Sequence, residues 1–153
     1  MLARELARPF PTVSLDTVAL EAAGILAEHK LPGLIVLDDD GHPYTVLPGS
    51  QVLRFVVPTY VQDDPALARA YDEKSADALC AKLAGRTVRD MLPLKKDMLH
   101  LPLIAPDSTA IEIAAQMAGM RAPIVAVVDD SELLGAITVS VLLAHLIATG
   151  TAR

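Results

Sequence analysis

Two windows of this chain run through the same succession of apolar and polar positions. Residues 15–40, "LDTVALEAAGILAEHKLPGLIVLDDD", open on a helix-period pattern, pass into an unbroken apolar run and end on acids. Residues 106–131, "PDSTAIEIAAQMAGMRAPIVAVVDDS", do the same. In each the first part predicts a helix. Its apolar stripe is Leu20, Ala23, Leu26 and Ala27 in one copy and Ile111, Ala114, Met117 and Ala118 in the other. The runs "GLIVL" and "IVAVV" predict buried strands, and "TVSL" and "PLIA" upstream predict short strands before each helix. After the acidic turn, "YTVL" and "LLGAIT" predict a further strand, and "SQVLRFVV" and "SVLLAHLI" a closing helix. Thr109 and Glu112 have capping-box spacing. The first copy has Val18 at that place, so Asp16 or Thr17 is expected to cap.

Setting Asp16 over Asp107, an offset of 91, also aligns Glu21 with Glu112, Pro32 with Pro123 and Val36 with Val127. One extra residue in the first turn then changes the offset to 90, where Ser50 meets Ser140. The chain is a tandem duplication. The predicted fold class is α+β: two pseudo-symmetric β-α-β-β-α units, residues 1–57 and 87–150, joined by residues 58–86.

The repeat also settles what "DDDG" at 38–41 does. A calcium loop with Gly41 at its sixth position would need ligands at Val36 and Leu47, and neither side chain can coordinate. The second copy of the turn, "VVDDSELLG", lacks both the third Asp and the Gly at that place. The acids therefore mark a turn, with Gly41 at positive φ, rather than a metal loop.

Between the copies, Asp64-Pro65 reads as a helix start and Gly85 as its stop. Leu67, Tyr71, Leu79 and Leu83 make a slanting apolar row along residues 65–84. This extra helix is expected to cover an edge of the module or to serve docking or dimerisation, with Cys80 a small packing residue on it.

Composition narrows the function. Hydrophobic residues are 52% of the 153, aromatics only 3%, and the formal charge is -6. So few aromatics and such an acidic balance argue against nucleic acid as a partner. One cysteine excludes an internal disulfide, and the N-terminus lacks a signal-peptide pattern, so a cytoplasmic protein is expected. Residues 133–150 carry no charge over a membrane-span length. Gly135, Thr138, Ser140 and His145 interrupt them, and the pattern changes from strand-like to helix-like near Thr138. A buried strand and a short helix are predicted, with no membrane insertion. His29, His42, His100 and His145 share no ligand spacing. No nucleophile–base set, phosphate loop or dinucleotide glycine pattern is present, so no enzyme is expected.

The runs "APDSTAIEIAAQMAGMRAPIVAVVDD" and "LLGAITVSVLLAHL" resemble the CBS domain, and the two copies together resemble the paired CBS, or Bateman, module. The resemblance implies two repeats packed sheet to sheet and clefts that take AMP, ATP or S-adenosylmethionine as a regulatory ligand. It further implies a homodimer and an enzyme or transporter regulated in trans. The family's nucleotide motif puts Thr or Ser at the start of the closing helix and Asp three residues later. These places are Thr138 and Val141 in the second copy and Pro48 and Gln51 in the first. Gln51 keeps one ribose hydrogen bond within reach; Val141 offers none. By the same resemblance Val13, Ile104, Pro32 and Pro123 line base pockets. Arg121 and Lys30 stand where a cation meets a phosphate, or where one simply favours a helix C-terminus. The alternative to a nucleotide sensor is a scaffold for dimerisation or docking that needs no nucleotide.

Overall fold

The computed structural model describes residues 1–70, 77–78 and 80–151. In the first repeat β1 (Thr12–Ser14), α2 (Ala19–His29), β2 (Gly33–Leu37), β3 (Pro43–Pro48) and α3 (Gly49–Val56) follow one another. In the second, β4 (Leu103–Ile104), α6 (Ala110–Met120), β5 (Ile124–Asp129), β6 (Glu132–Thr138) and α7 (Val139–Thr151) do the same. Short helices α1 (Ala3–Leu6) and α5 (Val88–Met91) lead into the repeats, and α4 (Thr59–Asp63) follows α3.

Each repeat forms its own three-stranded sheet, with one parallel and one antiparallel pairing. Val13 pairs with Val36 and Ile104 with Val127, and both hairpins slip register at equivalent places, Val36/Leu37 and Val127/Val128. The duplication thus extends to the bulge. The central strands are buried on both faces, which explains their unbroken apolar runs. Leu34 and Val36 face the helices of the first repeat, and Val125 and Val127 those of the second. Ile35 and Val46 meet Ile124, Ala126 and Ala136 between the two sheets.

Three expectations change. The helix faces that point inward are Ala19, Ala22 and Leu26 on α2, and Ala110, Ile113 and Met117 on α6. Leu20 and Ile111, on the predicted stripe, are exposed, because these Ala-rich helices are apolar on two sides and the sheet takes only one. The N-cap of α2 is Val18, with no side-chain cap from Asp16 or Thr17; Thr17 Oγ1 instead accepts from Ser14 N. The Ala19 N–H is satisfied by Arg86 O at 2.8 Å, a tertiary contact no local pattern contains. On α6, Thr109 does accept from Glu112 N. The predicted helix over 65–84 is 3₁₀ at Pro65–Ala70 and at Ala81–Leu83; Leu83 is buried and Leu67 exposed, while Tyr71 and Leu79 lie outside the described residues.

The leaders cross over. Ala3 and Leu6 of α1 pack into the core of the second repeat, and Val88 and Met91 of α5 into that of the first. Ala3 N donates to Ser108 O, and Val88 N donates to Thr17 O. Arg8 and Ala136 exchange both backbone hydrogen bonds, over Gly135, where a side-chain carbon would sit 2.8 Å from Arg8 O. Beyond α5 the chain runs as a strap over residues 92–102, longer than the matching 7–11, and includes a 3₁₀ turn at Lys95–Asp97. The strap is fastened at Thr45, which is buried and donates through Oγ1 to Leu99 O at 2.8 Å.

The acids form a turn, in which ligand atoms of Asp38, Asp40 and His42 lie within 4.8 Å of one another. Asp38 Oδ1 accepts from Asp40 N and His42 N at 2.9 Å each, and Gly41 has φ +81°. In the second copy Asp130 and Ser131 both take positive φ, a two-residue turn without glycine. Residues 133–150 are a strand and a helix joined at Thr138, and among the described residues no helix is long and apolar enough to cross a membrane.

Candidate functional site

The polar residues that carry ligand chemistry converge in the first repeat. Gln51, Arg54 and Phe55 of α3, Thr59 and Gln62 of α4, and the run from Asp90 to Leu94 with Asp97 enclose a cleft of about 710 Å³. Three separate pieces of chain build it: the closing helix, the segment inserted after that helix, and the strap leading into the second repeat. Gln51 Nε2 donates to Met91 O at 2.8 Å, which orients the amide and leaves its Oε1 as an acceptor. Gln62 Nε2 donates to Arg54 O and Val57 O at 3.1 and 2.7 Å, holding α4 against α3. Asp90 Oδ2 accepts from Thr87 N and Oγ1 and so caps α5.

The other sequence-designated residues do not join Gln51. Val13 and Ile104 are buried in the cores of their own repeats. Pro32 is exposed ahead of β2. Lys30 and Arg121 both end a helix in the left-handed conformation, φ 51° in each, a place where glycine is the least strained residue. Arg121 and Pro123 border an apolar groove of about 440 Å³ between α6 and α7, lined also by Ala114, Ala118, Leu142 and Leu143. A smaller groove of about 320 Å³ occupies the equivalent place between α2 and α3, with Ala23, Ala27, Val52 and Leu53. Thr138 Oγ1 lies 3.4 Å from Val141 N and 3.0 Å from Ser140 Oγ, the geometry of an N-cap on α7.

Sequence reasoning missed Arg54, Thr59, Gln62, Asp90 and Asp97. Arg54 stands three residues after Gln51, one helical turn along the same face, and that spacing could have found it. Nothing local could place Asp97 opposite α3.

In the second repeat, the positions of Gln51, Met91 and Leu92 are held by Val141, Leu6 and Ala7. Leu6 is a core residue there, and Val141 and Ala7 pack against the same apolar cluster. Arg8 turns its guanidinium back onto the carbonyls of Glu5, Leu6 and Ala7, at 3.0 to 3.2 Å. Met91 and Leu92 pack into the first core in the same way, so the repeats differ in the side chain at the start of the closing helix, an amide at Gln51 and an isopropyl group at Val141.

Away from these sites, Arg89 spans Asp16 and Asp39 at 3.4 and 2.8 Å, tying α5 to two turns of the first repeat. The hydrogen bond and charge of Asp39 raise its pKa further above an already basic range.

Two sheets of one topology, related by an internal repeat and joined by crossed leaders, match a known pattern. The CBS domain model covers residues 3–48 and 88–148. The chain belongs to the CBS domain family. A CBS domain-containing protein of unknown function from Kribbella flavida is 52% identical over 96% of this chain and 99% of its own, with a TM-score of 0.88. The CBS domain of a CBS domain-containing membrane protein from Sphaerobacter thermophilus is 24% identical over 94% and 86% of the two chains, TM-score 0.71. The CBS-pair protein CBSX2 from Arabidopsis thaliana, solved in complex with AMP, is 19% identical over 97% and 98%, TM-score 0.65. No functionally curated protein matches the chain. The protein is a tandem CBS pair of the α+β class.

Proposed function

We propose that this CBS pair is a regulatory module without catalysis of its own, which senses an adenosine-type nucleotide in the first-repeat cleft. The observation that carries this reading is the polar cleft at Gln51 and Arg54, large enough for a nucleotide and supplied with both a cation and free acceptors. AMP bound to CBSX2, a protein of the same fold, supports the ligand class. Val141 and Ala7, packed into the apolar cluster, leave the second repeat to structure, so one ligand per chain is expected. AMP is favoured over ATP, because Arg54 is the one cation in the cleft lining among the described residues and the Asp90 carboxylate disfavours further negative charge.

Two copies assemble through the helical faces in this reading. Leu53, Ile111, Leu143 and Ile147 stand exposed on these helices, and Leu53 and Leu143 line the two apolar grooves, the kind of surface a second copy would cover. The regulated partner is then a separate enzyme or transporter, met in the cytoplasm.

A thermal-shift panel of AMP, ADP, ATP, S-adenosylmethionine and NAD tests the sensing. A ligand at 100 times its Kd adds about 2.7 kcal/mol, or roughly 5–10 °C for a chain of this length. The shift should vanish in Arg54→Ala. No shift from any ligand would favour the second reading, a nucleotide-independent scaffold. That reading draws on Gln51 Nε2, already bonded to Met91 O, and on Val141.

A further inference from the structure

We propose that Asp97 takes over the diol-binding role vacated at Gln51, and that Arg54 holds the ligand's anionic group at the other pole of the cleft. The inference rests on the reading of this cleft as a nucleotide site and names the side chains that set its chemistry.

The accounting of hydrogen bonds leads to Asp97. Six polar side chains line the cleft: Gln51, Arg54, Thr59, Gln62, Asp90 and Asp97. Gln51 and Gln62 have their amide donors committed to backbone carbonyls. Asp90 has one carboxylate oxygen committed to Thr87. Asp97 has no side-chain partner among the described residues; only its backbone N–H is used, donating to Leu94 O at 2.8 Å. A vicinal diol presents two O–H donors side by side. A free carboxylate accepts both with charge assistance, whereas the one remaining amide oxygen of Gln51 is neutral.

The charges point the same way. Arg54 and Asp97 line one cleft, yet among the described residues the ion pairs are those of Arg89 with Asp16 and Asp39. Both are exposed and unpaired with each other, so each is available to a ligand. A ligand with an anion at one end and hydroxyls at the other satisfies both without breaking an internal pair.

Asp97 is also positioned rather than loosely attached. It sits on the 3₁₀ turn Lys95–Asp97, between Met91, buried in the first core, and Leu99, fixed by Thr45 and by a bridge to Val46. This turn belongs to the long strap 92–102, and the short leader 7–11 has no room for it. The carboxylate thus enters from the second repeat's leader in place of the closing helix of the first. Holding the binding group on a segment fastened at both ends lowers the ordering cost of ligand capture.

The test is calorimetric titration of the full chain with AMP and with 2′-deoxyAMP, which lacks one hydroxyl of the diol. The wild type should prefer AMP by about tenfold, the value of one charge-assisted hydrogen bond. Asp97→Asn keeps the shape and an acceptor but loses the charge; it should bring the two affinities within about twofold, by weakening AMP. Gln51→Ala should weaken both nucleotides by the same factor, and Arg54→Gln should weaken both nucleotides while leaving free adenosine unaffected. If Asp97→Asn keeps the preference, or Gln51→Ala abolishes it, the assignment is overturned. If the wild type binds both nucleotides equally, the diol role fails while the cleft stands as the site. If it binds none of the panel, the cleft reading fails and Asp97 with it. Unchanged far-UV circular dichroism and melting temperature of unliganded Asp97→Asn separate these results from misfolding.

Discussion

The two repeats share a backbone down to the bulged residue, and their clefts have opposite contents. At the start of α3, Gln51 is tied to Met91 O beside Arg54, and the space beyond is open and polar. At the start of α7, Val141 packs with Ala7 against the second core, and Arg8 folds back on α1. Strand pairing and helix docking depend on backbone hydrogen bonds and on apolar residues of about the right size, so the duplicated frame tolerates divergence at its edges. The cleft depends on individual polar atoms, and a single exchange of an amide for an isopropyl group removes both the donor to the leader's carbonyl and the acceptor beside it. The pair is symmetric as a scaffold, and the proposed sensing role makes it single-sided as a site.

The crossed leaders offer the largest effect with which to break that comparison. Leu6→Ala and Met91→Ala each remove a nearly fully buried side chain and should cost about 2–5 kcal/mol. Hydrogen exchange read residue by residue should show the Leu6 variant loosening Val125, Val127 and Ile137 before the first repeat, although Leu6 precedes β1. Loosening confined to the first repeat would deny the crossing.

Exchanging the cleft residues sharpens the contrast. Gln51→Val removes the bond to Met91 O and should cost about 1 kcal/mol, and it should reduce the rise in melting temperature expected with AMP. Val141→Gln buries an amide against Ala7 and should cost about 1–3 kcal/mol without creating a second ligand site. Calorimetric stoichiometry checks this: one site per chain in wild type and in Val141→Gln.

At the helix starts the copies differ by a smaller amount. Thr109→Ala removes the Glu112 cap and should lower stability by about 1 kcal/mol, whereas Val18→Ala, at a place with no side-chain cap, should change it by less than half of that. Chemical denaturation midpoints decide it, and equal losses would mean that Arg86 O does not replace the missing cap. The turns give the smallest effect. Ser131, at φ 72° where the first copy uses Gly41, should gain a few tenths to about 1 kcal/mol as Ser131→Gly.

Much of this was legible in the order of residues. The apolar runs placed every strand, and the single offset of 91 that sets Asp16 over Asp107, Glu21 over Glu112 and Val36 over Val127 identified the duplication. The acids could be read as a turn because a second copy was available for comparison; that Asp38, Asp40 and His42 gather their ligand atoms within 4.8 Å there was not legible from spacing. The helix faces were harder. On α2 and α6 alanine makes two sides equally apolar, and periodicity alone does not say which of them meets the sheet. Lys30 and Arg121 had the charge for a phosphate site, but their left-handed backbone sets them at helix ends, with Arg121 on the rim of the outer groove. Val13 and Ile104 stood on the expected strands and turned into the cores.

The sequence by itself determined the class, the order of strands and helices and the equivalence of the repeats, because those follow from hydrophobic period and local turn chemistry. Tertiary structure alone decided that each leader completes the other repeat, and that Arg86 caps a helix far from it in sequence. It also decided that Asp97 lines one cleft with Gln51 and Arg54. Such meetings depend on how the two sheets stack and where the strap crosses, which no periodicity within a single segment encodes.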